Sequence, residues 1–297
     1  MKTKLLSIYK RLRCRAKIVF PSLASRVQQW INERNERRHW DGRIADVLSC
    51  LDNSRLPRVA NAGAVVDGFQ VMHNGVEVEV NGYYGDGITR MLVANRGCHE
   101  PQEEVVFQHV VNSLPAHSVI IEAGAYWAFY SIWFAKTVPD AQMYLIEPEE
   151  ANLNVGKRNF AHNQCKGEFT LGYVGARPSE AADGVQIIAL DEFTAQRALD
   201  HVHMLHADVQ SFELKMLDGC KRLLSTRAVD YLFISTHSQD LHRQCTERLV
   251  QHGYRILASV DLEETYSVDG ILVACSPAVN APVFDPPSRK KSRSLSA

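Results

Sequence analysis

In the C-terminal two-thirds of the chain, short apolar runs alternate with longer amphipathic stretches. From Glu103 onward, VVFQHVVNSL reads as a helix, SVIIEAG as a buried strand, FYSIWFAKTV as a helix and AQMYLIEP as the next strand. ANLNVGKRNFAHN continues as a helix, and FTLGYVGA, HMLHADV and VDYLFIST read as further strands. Helices over 211–224 and 241–253 lie between or after them, and YRILASV with GILVACS reads as a terminal hairpin. Apolar runs bounded by turns and interleaved with helices predict an α/β fold. Its mostly parallel sheet is covered on both faces and ends in an antiparallel pair.

The first hundred residues carry a different pattern. Leu5, Ile8, Leu12, Ala16 and Val19 recur at helical spacing among seven Lys and Arg residues, and Pro21 closes that segment. Such a helix either lies on an anionic membrane surface as a peripheral contact or packs on the body with a solvated basic face. Two more helices are expected, around 23–38 and 43–51. FQVMHNGVEVEV then reads as a hairpin, because Asn74-Gly75 accepts the positive φ angles of a type I′ turn. The expected organisation is an N-terminal helical and hairpin extension (1–100), a catalytic domain (101–280) and a Pro/Ser/Lys-rich disordered tail (281–297).

Composition narrows the function classes. Lys plus Arg total 33 against 34 acids. This balance argues against nucleic acid as the partner, since phosphate binding needs concentrated positive charge. Seven scattered cysteines form no CxxC pair, which speaks against a zinc ribbon or a disulfide framework and for a reducing cytoplasm. The basic N-terminus lacks the continuous apolar run of a signal peptide or membrane span.

Candidate chemistry sits at the strand ends. The first strand ends Glu122-Ala123-Gly124-Ala125-Tyr126, where small residues let a ligand approach the backbone. Tyr126 and Phe129 stand where a dinucleotide fingerprint requires glycine, so a cofactor without a pyrophosphate suits the turn better. Glu147-Pro148 ends the next strand, roughly 20 residues on, where an acid accepts both ribose hydroxyls. The fourth strand ends His206-Ala207-Asp208-Val209-Gln210 and the fifth Ser235-Thr236-His237. His206, Asp208 and His237 thus converge as candidate catalytic groups, His237 as a base or as a structural hydrogen-bonder. His206 and Asp208 lack a third ligand at fixed spacing, so no metal is expected. Tyr266 and Ser267 in ETYSVDG either rim the acceptor site or form a turn feeding the last strand.

Three stretches together resemble the FkbM-type methyltransferases: VIIEAGAYWAFYSIWFA, YLIEPEEANLNVGKRNF, and HMLHADVQSFELKMLDG followed by VDYLFISTHS. IIALDEF resembles that family's LDEF element, which adds Asp191 to the cofactor-binding candidates. The resemblance spans about 100–275. It departs from the commoner pattern at Glu122 (usually Asp), Tyr126 (Asn), Ala128 (Gly), His206 (Lys), Gln210 (Glu) and Ser211 (Gly). It implies a Rossmann-like class I methyltransferase sheet, S-adenosylmethionine as cofactor, and O-methylation of a hydroxyl on a sugar, polysaccharide or glycosylated natural product. On this reading Glu122, Gly124, Ala125 and Tyr126 hold the methionine portion and Glu147 with Pro148 the ribose. Asp208 and Gln210 orient the acceptor. The competing readings are a nicotinamide-dependent oxidoreductase and a non-catalytic glycan-binding protein on the same fold.

Overall fold

The computed structural model of the protein describes residues 21–290, so the basic stretch before Pro21 and residues 291–297 lie outside the described residues. The chain divides into two units, Met1–Ala45 and Asp46–Ala297. Helix α1 (Pro21–Ser49) supplies the described part of the first unit and ends in the second. Two helices are expected here from the sequence, but one forms. Nothing stronger than Gly42 interrupts it, a cost of about 1 kcal/mol. Within the first unit its surface is polar: Gln28 donates to Asn32 at 2.8 Å, and the Arg34 guanidinium lies over the exposed Trp30 ring. Among the described residues no helix is long and apolar enough to cross a membrane.

The second unit opens with a small antiparallel sheet, β1 (Val65–Val66), β2 (Phe69–Val71) and β3 (Glu77–Glu79). Its β2–β3 connection is not the expected two-residue type I′ turn. The Asn74 side chain accepts the Val76 amide at 3.1 Å, and only Gly75 takes a positive φ, 85°. The result is a longer loop with glycine in its left-handed position. Helices α2 (Asp86–Ala94) and α3 (Pro101–Val111) lead into the main sheet.

That sheet is built from β4 (Val119–Ala123), β5 (Gln142–Glu147), β6 (Glu168–Leu171), β10 (Val202–Ala207), β11 (Val229–Thr236), β12 (Arg255–Val260) and β13 (Gly270–Cys275). A second small sheet, β7 (Tyr173–Val174), β8 (Ser179–Glu180) and β9 (Gln186–Ile188), follows β6, so the apolar run FTLGYVGA divides at Gly172 between two sheets. The main order is β6-β5-β4-β10-β11-β13-β12, parallel except for β13, which is the Rossmann-like arrangement that the alternating pattern predicts. The terminal pair does more than extend the edge. All six residues of β13 are buried, so it inserts between β11 and the half-exposed β12.

Helices α4 (Phe129–Thr137), α5 (Glu150–His162), α6 (Leu190–Gln196), α7 (Glu213–Asp218), α8 (Lys221–Ser225) and α9 (Gln239–Gln251) fill the crossovers. The single helix expected over 211–224 forms as two. Gly219 packs so closely on the Gly175 carbonyl that a side chain there would overlap it, and Asp191 caps the new helix by accepting the Arg222 and Leu223 amides at 2.7 and 3.0 Å. β4 and β10 run parallel, but the order in which strands are added reverses between them. In such a sheet ligands bind at that switch point, beyond the carboxyl ends of the strands.

Below this point lies a buried acid–histidine layer carried by α3. Glu104 pairs with His99 at 2.7 Å and with His73 at 3.2 Å, and also accepts the His99 and Glu100 amides. His73 follows β2, so these bonds tie the hairpin to α3 from the inside. Residues 281–290 run without regular secondary structure, with Ser288 bonded to Asp52 at 2.6 and 2.8 Å and to Gln102 at 2.5 Å.

Burial works against both charges of the central pair, yet the histidine bonds hold Glu104 down to about 2, and the Glu100 and Glu104 charges and bonds push His99 up to about 10. A depressed carboxyl adds stability above its ordinary 4.5 that is lost as pH falls toward 2. A raised imidazole adds stability below its ordinary 6.5 that is lost as pH rises toward 10. Denaturation across a pH series is therefore expected to show maximal stability between these two ordinary values. Glu104→Gln should flatten the profile and cost about 3–5 kcal/mol, as a buried pair does on losing one partner.

Candidate functional site

Three strand ends build the site. At the end of β4 the Gly124 and Ala125 amides bond to the Ile146 carbonyl of β5 at 2.8 and 3.1 Å, while the Asp208 amide bonds back to the Ala123 carbonyl at 2.9 Å. Gly124 has φ 76°, and a side chain there would overlap the Asp208 carbonyl. The turn is therefore pressed between its two neighbours, and glycine is required at its centre. Tyr126 and Ala128 follow with positive φ of 38° and 63°, and the loop after β10 repeats the pattern at Gln210 and Ser211, 48° and 76°. Two of these, Ala128 and Ser211, are positions where the resemblance leads one to expect glycine, and the left-handed backbone is the reason.

The cavity over these tips has a volume of about 320 Å³, within the range of small-molecule sites. Gly124, Tyr126, Glu147, Pro148, Asp208 and Gln210 line it, all from the sequence-based set. Glu147 is buried at the end of β5; it accepts the Tyr126 and Glu149 amides at 3.1 Å and the Asn152 amide group at 3.4 Å. Burial nonetheless raises its pKa. A carboxylate offers about four acceptor positions, which leaves room for a ligand hydroxyl.

The remaining predicted residues stand outside the cavity lining. Glu122 is buried one layer down, where it accepts the Ser131 amide of α4 at 3.0 Å, and burial pushes its carboxyl up to about 7. Ala125 is buried in the turn itself. His206 sits beside Glu122 in the sheet register, bonds Glu103 at 2.9 Å and packs its ring 4.1 Å from that of Tyr130. Asp191 caps α8, as described above. The Tyr266 amide and the Ser267 hydroxyl bond to Gln102 and Glu100, both at 2.8 Å, which fastens their loop to α3.

His237 lies at the tip of β11 among three carboxylates. Its Nδ1 meets Glu213 at 2.5 Å, and its Nε2 meets Asp208 at 3.3 Å and Asp269 at 3.4 Å. Burial, the largest single influence, pulls its pKa down, but the bonds from Asp208 and Glu213 and the surrounding negative charge carry it up to about 10. The ring thus holds its proton well above the ordinary histidine value, which works against service as a base.

Sequence reasoning missed the aromatic wall. Tyr83 and Tyr84, from the loop between β3 and α2, line the cavity with Tyr173 and Phe212. Their one signal was an aromatic pair in the Gly/Asn-rich stretch NGYYGDG, far from the strand ends in sequence. The lining also contains three carboxylates, Glu147, Glu149 and Asp208, and among the described residues no Lys, Arg or His.

Elsewhere, His201, His203 and Asp230 bring potential metal ligands within 4.8 Å of one another at the opposite end of the sheet. His203 Nδ1 accepts the Val119 amide at 3.0 Å, so its proton sits on Nε2 and that ring has no lone pair left for an ion.

No known family model matches the chain, and no curated protein sequence does. Among solved structures, a precorrin-6y C5,15-methyltransferase of Geobacter metallireducens is 16% identical over 58% of this chain and 87% of its own, with a TM-score of 0.41. The TrmK protein of M. capricolum, solved with S-adenosyl-homocysteine, is 12% identical over 58% of this chain and 67% of its own (TM-score 0.41). A SAM-dependent methyltransferase of Aquifex aeolicus is 14% identical over 59% and 89% (TM-score 0.36).

The His237 environment is directly measurable. In an NMR titration its ring should remain protonated past pH 9, about 10 being expected, and Glu213→Gln should bring the midpoint down. A midpoint near the ordinary histidine value would refute the assignment.

Proposed function

We propose that the protein is an S-adenosylmethionine-dependent methyltransferase. One observation carries the reading. The cavity at the switch point joins a glycine turn and a ribose-placed acid, and its lining has three carboxylates and, among the described residues, no basic side chain. Anionic walls repel the pyrophosphate of a nicotinamide dinucleotide and favour a nucleoside cofactor whose reactive centre is a cation. This counts against the oxidoreductase. The same charge disfavours a nucleic-acid chain and supports a small-molecule or glycan acceptor.

The residues present fit that cofactor. Glu147, with about one acceptor position left beside its three bonds, takes a ribose hydroxyl, and the uncluttered Gly124 turn receives the methionine portion. Glu122 and His206 support the site from beneath: Glu122 fixes the start of α4 to β4, and His206 ties β10 to α3. When bound, the cofactor supplies a methyl group already activated by its sulfonium, so that the protein's task is alignment and proton removal.

The finer reading is O-methylation of a sugar hydroxyl. Asp208 is the group for its proton: the side chain lines the cavity, Gln210 donates to it at 3.0 Å, and His237 stands behind it at 3.3 Å. His237, as an imidazolium, acts through Asp208 by positioning its carboxylate. Tyr266 and Ser267 support the acceptor side through their bonds to α3.

Isothermal titration should detect S-adenosylmethionine binding that Glu147→Ala weakens at least about tenfold, as loss of a charged hydrogen bond does, with no binding of NADH. Absence of S-adenosylmethionine binding would overturn the proposal. With glycan acceptors followed by mass spectrometry, Asp208→Asn should slow methyl transfer about 10²-fold or more.

A further inference from the structure

The mouth of the cavity holds more structure than cofactor cradling requires. Three tyrosines meet there, Tyr83, Tyr84 and Tyr126, with ring centroids 4.6, 4.8 and 5.5 Å apart and planes inclined at 58–75°. Rings at such angles enclose a corner instead of stacking flat on one another. Tyr83 is braced from behind by Trp127, stacked at 4.3 Å and 6°. Tyr84 is 52% exposed, so nothing in the core demands its ring. Burial pushes both phenols up, Tyr84 to about 12, and Asp208, Glu100 and Asp269 add to the effect, which sets these carboxylates within electrostatic reach of the rings.

The charges around the corner come from five places. Asp208 follows β10, Asp269 precedes β13, Glu213 opens α7, His237 follows β11, and His99 with Glu100 precedes α3, the His99 ring standing edge-on to Tyr83 at 6.2 Å. Asp208, Asp269 and Glu213 meet His237, and Glu100 meets His99, so four carboxylates face two imidazole rings and the surplus is negative. An aromatic corner backed by surplus negative charge is the environment in which an organic cation is held by ring faces and desolvated at little cost.

We infer that Tyr83, Tyr84 and Tyr126, with Asp208 and Asp269, form a box for an organic onium cation at the mouth of the cavity. Such a cation has two sources, the sulfonium of the methyl donor and an ammonium group on the acceptor. The inference rests on the methyltransferase reading for the first source only.

The test uses the full chain and Tyr84→Leu and Tyr84→Phe variants, with circular dichroism to verify folding. S-adenosylmethionine and the neutral S-adenosylhomocysteine are titrated separately, and tetramethylammonium is titrated into free and S-adenosylhomocysteine-loaded protein. If the box holds the sulfonium, S-adenosylmethionine binds about tenfold tighter than its neutral product, Tyr84→Leu closes the gap and Tyr84→Phe keeps it. If it holds an acceptor ammonium, tetramethylammonium binds the loaded protein, and Tyr84→Leu abolishes that binding. Near-equal affinities for the two nucleosides, together with no tetramethylammonium binding, overturn the box. Tetramethylammonium binding that depends on Tyr84, with no binding of either nucleoside, supports the box and overturns the methyltransferase reading.

Discussion

The backbone contact between the tips of β4 and β10 governs the rest of the site. Gly124 lies so close to the Asp208 carbonyl that no side chain fits between them, and the Asp208 amide reaches back to Ala123. This contact joins the two strands at the point where sheet order reverses. It opens the crevice above them and sets Asp208 on its wall. The loops leaving both tips take left-handed conformations at Tyr126, Ala128, Gln210 and Ser211, none of them glycine. Each such residue costs on the order of 1–2 kcal/mol relative to ordinary backbone. At these two tips the cost accompanies the sharp turns that border the cavity.

The buried polar layer under the tips explains how a distant segment reaches the site. Glu104 gathers His73 from the hairpin and His99 from the connection before α3, while Glu103 on the same turn takes His206 from the sheet. Glu104 and His99 hold each other's charge at this depth. Burial lowers the pKa of His73, so the hairpin is held to α3 by the close His73–Glu104 contact and by apolar packing. The loop after β3 consequently delivers Tyr83 and Tyr84 to the cavity mouth.

The strands, their order of appearance and three of their tips were legible in the sequence, because buried parallel strands leave continuous apolar runs and polar residues interrupt them where a ligand binds. Gly124, Glu147 and Asp208 all came from that pattern. The tyrosine wall was not legible, since it is formed by a contact between residues some forty positions apart along the chain (Tyr83 and Tyr126), and periodicity records only neighbours. The roles of Glu103 and Glu104 were hidden for a different reason. Acids in the first turn of a helix are ordinarily solvated groups favoured by the helix dipole, and only packing reveals that these are buried. Asp191 shows the converse: a resemblance in sequence made it a cofactor-binding candidate, and in the structure both of its oxygens bond to the amides that open α8.

His237 illustrates how a tertiary arrangement changes the chemistry that a residue type suggests. A strand-end histidine beside a ligand crevice reads as a base, and its ordinary pKa suits that task. Glu213, Asp208 and Asp269, from three other elements, hold its proton instead. A ring that holds its proton this tightly is a poor acceptor for another, and on the methyltransferase reading that duty falls to Asp208, the carboxylate that lines the cavity. The same ring pairs with Asp208, which is partly exposed on the cavity wall, so a carboxylate is held in a fixed place there. On the proposed methyltransferase reading, such a cavity favours a cationic reactant over its neutral product, which gives the charge distribution a direction as well as a sign.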